Sequence, residues 1–120
     1  MDQSNNHQVI TASQMIGAEV RTPNHEELGT LKEIMIDTTN GKVSYAVLSV
    51  KTGLMNFKRK YFAVPWRAIN FDNYFENVII LNVTKEKLDN SPGFYKENWP
   101  TKANSGLFKL LTEYYNLEEK

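Results

Sequence analysis

Thr30-Leu31-Lys32-Glu33-Ile34-Met35-Ile36-Asp37-Thr38-Thr39-Asn40-Gly41-Lys42-Val43-Ser44-Tyr45-Ala46-Val47-Leu48-Ser49-Val50 is the stretch whose pattern decides the fold. Leu31 and Met35 share one face of an extended chain, and Ile34 and Ile36 share the other. Apolar residues on both faces suit a strand in a small closed barrel, or a strand that carries a bulge. Asn40-Gly41 signals a hairpin, because both residue types tolerate positive φ. Beyond it, residues 42–50 are rich in Val, Tyr and Leu. The continuous run Tyr45-Ala46-Val47-Leu48 implies burial on both faces.

Further strands lie on the C-terminal side. Gly53 marks a turn inside a longer loop that ends around Lys60, and residues 61–64 form a short strand stopped by Pro65, which cannot donate to a ladder. Residues 66–69 form a single turn. Phe71 and residues 77–83 make a last hairpin around Asp72-Asn73. Toward the N-terminus, Pro23-Asn24-His25-Glu26 reads as a turn. Thr11-Ala12-Ser13-Gln14 fits a capping box that opens one helical turn. Residues 1–10 are polar apart from Val9 and Ile10 and read as a frayed tail. Five or six short strands with regular turn signals predict an all-β barrel or sandwich.

The pattern changes after Val83. Thr84 caps a turn through Leu88, and Ser91-Pro92-Gly93 breaks the chain. Phe94-Tyr95-Lys96-Glu97-Asn98-Trp99-Pro100 is aromatic without periodicity and reads as a packed extended segment. Leu107, Leu110, Leu111 and Tyr114 follow the i, i+3, i+4, i+7 spacing of an amphipathic helix. The chain therefore divides into a tail (1–10), a barrel (11–84) and a C-terminal extension (85–120).

At 120 residues this is one domain's worth of chain. It has no cysteine, which removes disulfides, thiolate nucleophiles and cysteine-based zinc sites. Only two histidines occur, His7 in the tail and His25 in a turn, with Glu26 and Glu27 beside the latter, so no constrained metal set is evident. There is no Gly-x-Ser-x-Gly elbow and no phosphate-cradling glycine loop. Asp37 and Asp72 are the one carboxylate pair a sheet could bring together, but a small barrel fills its interior with side chains. The expectation is a protein with no catalytic, cofactor or metal residues. The Asn82-Val83-Thr84 sequon sits at a strand end in a chain without a secretory signal. With the longest aliphatic run only Val78-Ile79-Ile80-Leu81, no membrane insertion and a cytoplasmic location are expected.

The 14 bases and 14 acids are not evenly spread. No acid lies between Asp37 and Asp72, where Lys42, Lys51, Lys58, Arg59, Lys60 and Arg67 give +6. The two flanks carry −4 and −2.

Four blocks carry a family likeness: Ser13-Gln14-Met15-Ile16-Gly17-Ala18-Glu19-Val20, then Leu28-Gly29-Thr30-Leu31-Lys32-Glu33-Ile34-Met35-Ile36-Asp37, then Gly41-Lys42-Val43-Ser44-Tyr45-Ala46-Val47-Leu48-Ser49, then Phe62-Ala63-Val64-Pro65-Trp66. Together they resemble the PRC-barrel domain, and residues 91–100 are similar to the tail of its stand-alone bacterial members. The resemblance spans residues 13–100. It implies a mainly β fold, a small and strongly bent SH3-like barrel of five to six strands, here with a C-terminal extension and an amphipathic helix. It further implies docking rather than catalysis, as in the cytoplasmic part of the photosynthetic reaction-centre H subunit and in a ribosome maturation factor. No catalytic residue or cofactor comes with the family. The loop before the fourth strand departs from the usual glycine-rich, mixed-charge form, since Asn56-Phe57-Lys58-Arg59-Lys60 is basic and glycine-free. Independently of the family, Gly17, Gly29 and Gly41 fall where a barrel this small must bend or turn. Trp66 can close one barrel end as an apolar plate.

Two surfaces are candidates for recognition. One is the basic loop, in which Lys58, Arg59 and Lys60 are flanked by Phe57, Tyr61 and Phe62, a combination that neutralises phosphate and stacks bases. The other is the C-terminal extension, with Phe94, Tyr95 and Trp99 in its aromatic segment and Leu107, Leu110, Leu111 and Tyr114 on its helix. Packing of that extension on its own barrel is the competing expectation. A protein partner, including a second copy of the chain, ranks ahead of RNA because the acidic flanks repel a polyanion and the isoelectric point is only 6.7. A basic hairpin meeting an acidic flank of a second copy is self-complementary.

Overall fold

In the computed structural model of the chain, the described residues are 9–52, 58–75, 77–91, 93–94 and 113–115, with backbone alone at 52, 58, 72–75 and 94. In chain order they form α1 (Ala12–Met15), β1 (Glu19–Arg21), β2 (Glu27–Asp37), β3 (Lys42–Thr52), β4 (Lys58–Pro65), a 3-10 turn (Trp66–Ala68), β5 (Ile69–Phe75), β6 (Val78–Leu81), α2 (Lys85–Asp89) and β7 (Gly93–Phe94). The fold is mainly β, as the strand spacing predicts. Six strands have three or more residues, and the two-residue β7 adds to the edge of β4.

The sheet runs in the order β5-β6-β1-β2-β3-β4-β7. Its neighbours are antiparallel except for β1 and β6, which pair in parallel with Glu19 opposite Val78. β2 is the bent spine. It pairs with β1 through its first residues and with β3 through the rest, and its register shifts between Leu31 and Glu33 and again between Met35 and Ile36. Each bulge sharpens the local twist, which is how one strand can serve two differently oriented partners. The bulges also explain the two-faced apolar pattern. Leu31 is buried, Ile34 and Met35 are half-buried, and Ile36 is 59% exposed.

The β2–β3 reversal is a four-residue loop closed by Asp37 opposite Lys42. Of the Asn40-Gly41 pair only Gly41 takes positive φ, at 75°. The loop is fixed instead by Asp37, whose carboxylate accepts from the Thr39 hydroxyl and the Thr39 N–H while its carbonyl accepts from the Gly41 N–H. Those Thr39 bonds, the hydroxyl first, hold the Asp37 carboxyl below its ordinary pKa. Gly29 is needed for room rather than φ: a Cβ there would lie 2.5 Å from the Ser49 carbonyl oxygen on β3.

α1 carries the expected capping box, with the Thr11 hydroxyl accepting from the Gln14 N–H and the Gln14 side chain accepting from the Thr11 N–H. Thr84 caps α2 by accepting from the Lys87 N–H at 3.0 Å. The core gathers Val20, Leu31, Val47, Leu48, Val64, Ile79 and Leu81, and all of Tyr45-Ala46-Val47-Leu48 is buried, as the unbroken apolar run predicts. Trp66 packs partly buried against this core, with its ring 5.7 Å from that of Phe71.

Two expectations differ from the structure. β4 begins at Lys58 rather than near Tyr61, because pairing with an equally long β3 extends both strands through polar residues. β5 runs through Asp72-Asn73, and the chain reverses after Phe75 where Asn77 takes a φ of 62°. Leu88 of α2 (1% exposed) and Tyr115 (8% exposed) also belong to the core. Of the C-terminal helix, residues 113–115 are described, and they are helical.

Candidate functional site

Antiparallel pairing decides where the charges of the acid-free segment fall. Lys42 opens β3, and the last three rungs of β3–β4 are Val50 opposite Lys60, Lys51 opposite Arg59, and Thr52 opposite Lys58. Lys42 and Lys51 therefore stand at opposite ends of a strand, roughly 30 Å apart at the usual rise per residue. Arg67 follows Pro65, which pairs with Tyr45, and so falls toward the Lys42 end. The +6 segment is thus split: four bases at one end of the sheet and two toward the other.

At the four-base end, Lys51 and Arg59 are exposed and directly opposite one another. Like charges on facing positions of an antiparallel pair repel. Among the described residues neither has an acidic partner within ion-pair distance, and the one such pair is Arg21 with Glu19 at 2.9 Å. Arg59 is held by its Nη1, which donates to the Ser49 hydroxyl at 3.1 Å, and Ser49 itself is 5% exposed. The guanidinium is thus oriented from below by a buried hydroxyl and open above. Lys60 lies on the other face, its Nζ 5.3 Å from the Phe62 ring centroid.

Of the aromatic half of the basic motif, Tyr61 and Phe62 are not available at the surface. Phe62 is 3% exposed and Tyr61 9%, both built into the core, where strand alternation and β7 cover them. Phe57 lies outside the described residues. Stacking of bases needs an open ring face, and among the described residues this end has cations without one.

The β1–β2 turn stands at the same end of the sheet, because β2 starts where β3 finishes. Its geometry is set by Thr22, whose N–H donates to the Glu26 carbonyl at 2.8 Å and whose hydroxyl accepts from the Glu26 N–H at 3.0 Å. His25 takes the left-handed conformation at φ 68°. Glu26 then lines an open cleft of about 630 Å³ with Thr84, Lys85, Glu86, Asp89 and Asn90. Three carboxylates against one ammonium make its rim acidic. Among the described residues, no group of three His, Asp or Glu is gathered closely enough to hold a metal ion. The Asp37–Asp72 pair is not assembled either, since β6 and β1 separate β5 from β2 and the Asp37 carboxylate is engaged by Thr39.

The opposite side of α2 carries the C-terminal helix. The Tyr114 hydroxyl donates to the Lys87 carbonyl at 2.6 Å, and the Lys87 ammonium lies 4.5 Å from the Tyr114 ring centroid. Tyr114 and Tyr115 meet edge to face at 5.0 Å. Tyr114 is therefore turned onto its own chain. Tyr95, Trp99, Leu107, Leu110 and Leu111, and the side chains of Phe94 and Lys58, lie outside the described residues. Of the predicted interaction residues, the structure brings Arg59 and Lys60 to one end of the sheet. It adds Lys51 opposite Arg59 and the Glu26–Glu86–Asp89 cleft toward that same end, which linear reading misses. The signal for Lys51 was present: carrying the β3–β4 hairpin to its last rung places it across from Arg59.

A bent, mainly β sheet wrapped around one apolar core defines a small β-barrel module. The PRC-barrel domain family matches residues 7–88, and the chain belongs to that family. The match ends at α2, so residues 91–100 fall beyond it. No curated protein matches the sequence. Among the described residues no helix is long and apolar enough to cross a membrane.

Proposed function

We propose that this PRC-barrel protein is a non-catalytic, cytoplasmic module for protein–protein interaction or assembly. The observation that carries the proposal is the exposed Lys51–Arg59 rung. Two cations stand face to face without an acidic partner among the described residues, one of them oriented by a buried serine, in a surface suited to recognising carboxylates rather than to moving protons. The test is cross-linked affinity capture with the parent chain and with a Lys51→Glu/Arg59→Glu variant. A protein recovered by the parent and lost from the variant supports the proposal. Equal recovery by both, or none by either, refutes it.

RNA binding through Lys58, Arg59 and Lys60 is the second reading, favoured by the gathering of four bases at one end of β3–β4. Burial of Tyr61 and Phe62 places it second. Replacing Lys58, Arg59 and Lys60 by Ser should abolish a salt-sensitive mobility shift of labelled RNA. Absence of any shift by the parent at low salt ends this reading.

A further inference from the structure

The strand register places the two charged features toward the same end of the sheet. Lys51 and Arg59 close the β3–β4 end of the sheet, and the Glu26–Glu86–Asp89 cleft opens next to the β1–β2 turn at that same end. Neither is neutralised by the other, because no ion pair joins them among the described residues. The basic rung carries two exposed positive charges and the cleft three negative charges with one positive, so the patches balance.

An end of the sheet that carries two unlike patches is complementary to a second copy of itself. A two-fold axis through that surface brings the basic rung of one copy onto the acidic cleft of the next, and the reverse, so each contact is made twice. A polyanion would meet the cleft's carboxylates as soon as it reached Lys51 and Arg59. An acidic peptide would satisfy the rung alone.

We propose that this end of the barrel, with Lys51 and Arg59 beside the Glu26–Glu86–Asp89 cleft, is the surface through which two copies of the chain pair about a two-fold axis. The proposal rests on the interaction-module reading and names its partner. Its contacts are exposed ion pairs, each weak and screened by salt, so the dimer is a reversible one. Such an interface is selective because docking that sets rung on rung or cleft on cleft opposes like charges, and the two-fold arrangement alone makes both favourable contacts.

Sedimentation of the full chain tests it. The parent is expected to dimerise at about 50 mM salt, with the dissociation constant rising about tenfold or more at about 500 mM. Lys51→Glu/Arg59→Glu alone and Glu86→Lys/Asp89→Lys alone should each be monomeric. Their equimolar mixture should recover a one-to-one dimer, because each reversed patch then faces its complement. A parent that stays monomeric at hundreds of micromolar overturns the proposal, as do a dimer indifferent to salt and a mixture of folded variants that remains monomeric. Should a double variant fail to fold, the salt dependence of the parent decides. A monomeric parent leaves the broader interaction reading to the capture experiment, so the two can fail separately.

Discussion

Gly29→Ala probes the tightest approach between two strands. A Cβ at that position meets the Ser49 carbonyl oxygen at 2.5 Å, the Val50 Cγ2 at 3.1 Å and the Ser49 carbonyl carbon at 3.3 Å. The first contact is about 0.8 Å short of an ordinary carbon–oxygen separation of ~3.3 Å. Its partner is backbone, which cannot rotate away. Moving β3 off β2 by that amount stretches the nearest β2–β3 ladder hydrogen bonds from about 2.9 Å toward about 3.7 Å, past the hydrogen-bonding range. One or two ladder bonds at ~1 kcal/mol each, with overpacking strain of about 1–3 kcal/mol, give a loss of about 3 kcal/mol. For a domain of this size that lowers the melting temperature by about 12 °C. Gly41→Ala is the control. It has open space around the added carbon and a φ of 75°, so it costs only the left-handed strain, about 1–2 kcal/mol. Urea or thermal unfolding of both variants reads the difference. If Gly29→Ala is no more destabilising than Gly41→Ala, the close approach is not what the glycine is there for.

Leu88→Ala, on a helix outside the strand region, should cost about 3 kcal/mol because its side chain is fully enclosed, and a loss under about 1 kcal/mol would place α2 outside the core. Tyr115→Phe should leave stability unchanged or raise it by up to about 1 kcal/mol in urea titrations. Among the described residues its buried hydroxyl has no hydrogen bond of good geometry, although the nearby Ser91, which donates to the Leu88 carbonyl at 2.7 Å, partly offsets the effect of burial on its pKa. Burial pushes the Tyr115 and Tyr45 phenols above their ordinary values. The folded chain therefore holds these protons more tightly than the unfolded one, and stability falls as pH climbs past about 10. Tyr115→Phe should flatten that alkaline decline, and an unchanged slope would contradict the burial.

The sheet's local parts were legible and its long-range parts were not. Tyr45-Ala46-Val47-Leu48 announces a strand covered on both faces because no polar residue interrupts it. The capping box at Thr11 and the cap at Thr84 are read from neighbours three residues apart. Residues 58–60 carry no apolar signal. They are a strand only because β3 continues opposite them, which no window on their own composition can reveal. Phe62 and Tyr61 looked like a stacking platform when read beside their cations, whereas the pleat and β7 bury them. The acidic cleft was invisible for the same reason as the parallel β1–β6 pair: its members, Glu26 and α2, are close only after the sheet has folded.

That parallel pair also dictates an order of events during synthesis. β2, β3 and β4 meet their neighbours through short connections and can zip as soon as they are made. β1 cannot, since its second partner arrives about sixty residues later. At translation rates of about 5–20 residues per second, β1 waits for several seconds, one side unpaired. Its buried Val20 and the parallel edge of Glu19–Arg21 stay exposed through that interval. The nascent meander is therefore most open to misassociation just before β6 is made, and delivery of Val78–Leu81 closes the vulnerable seam.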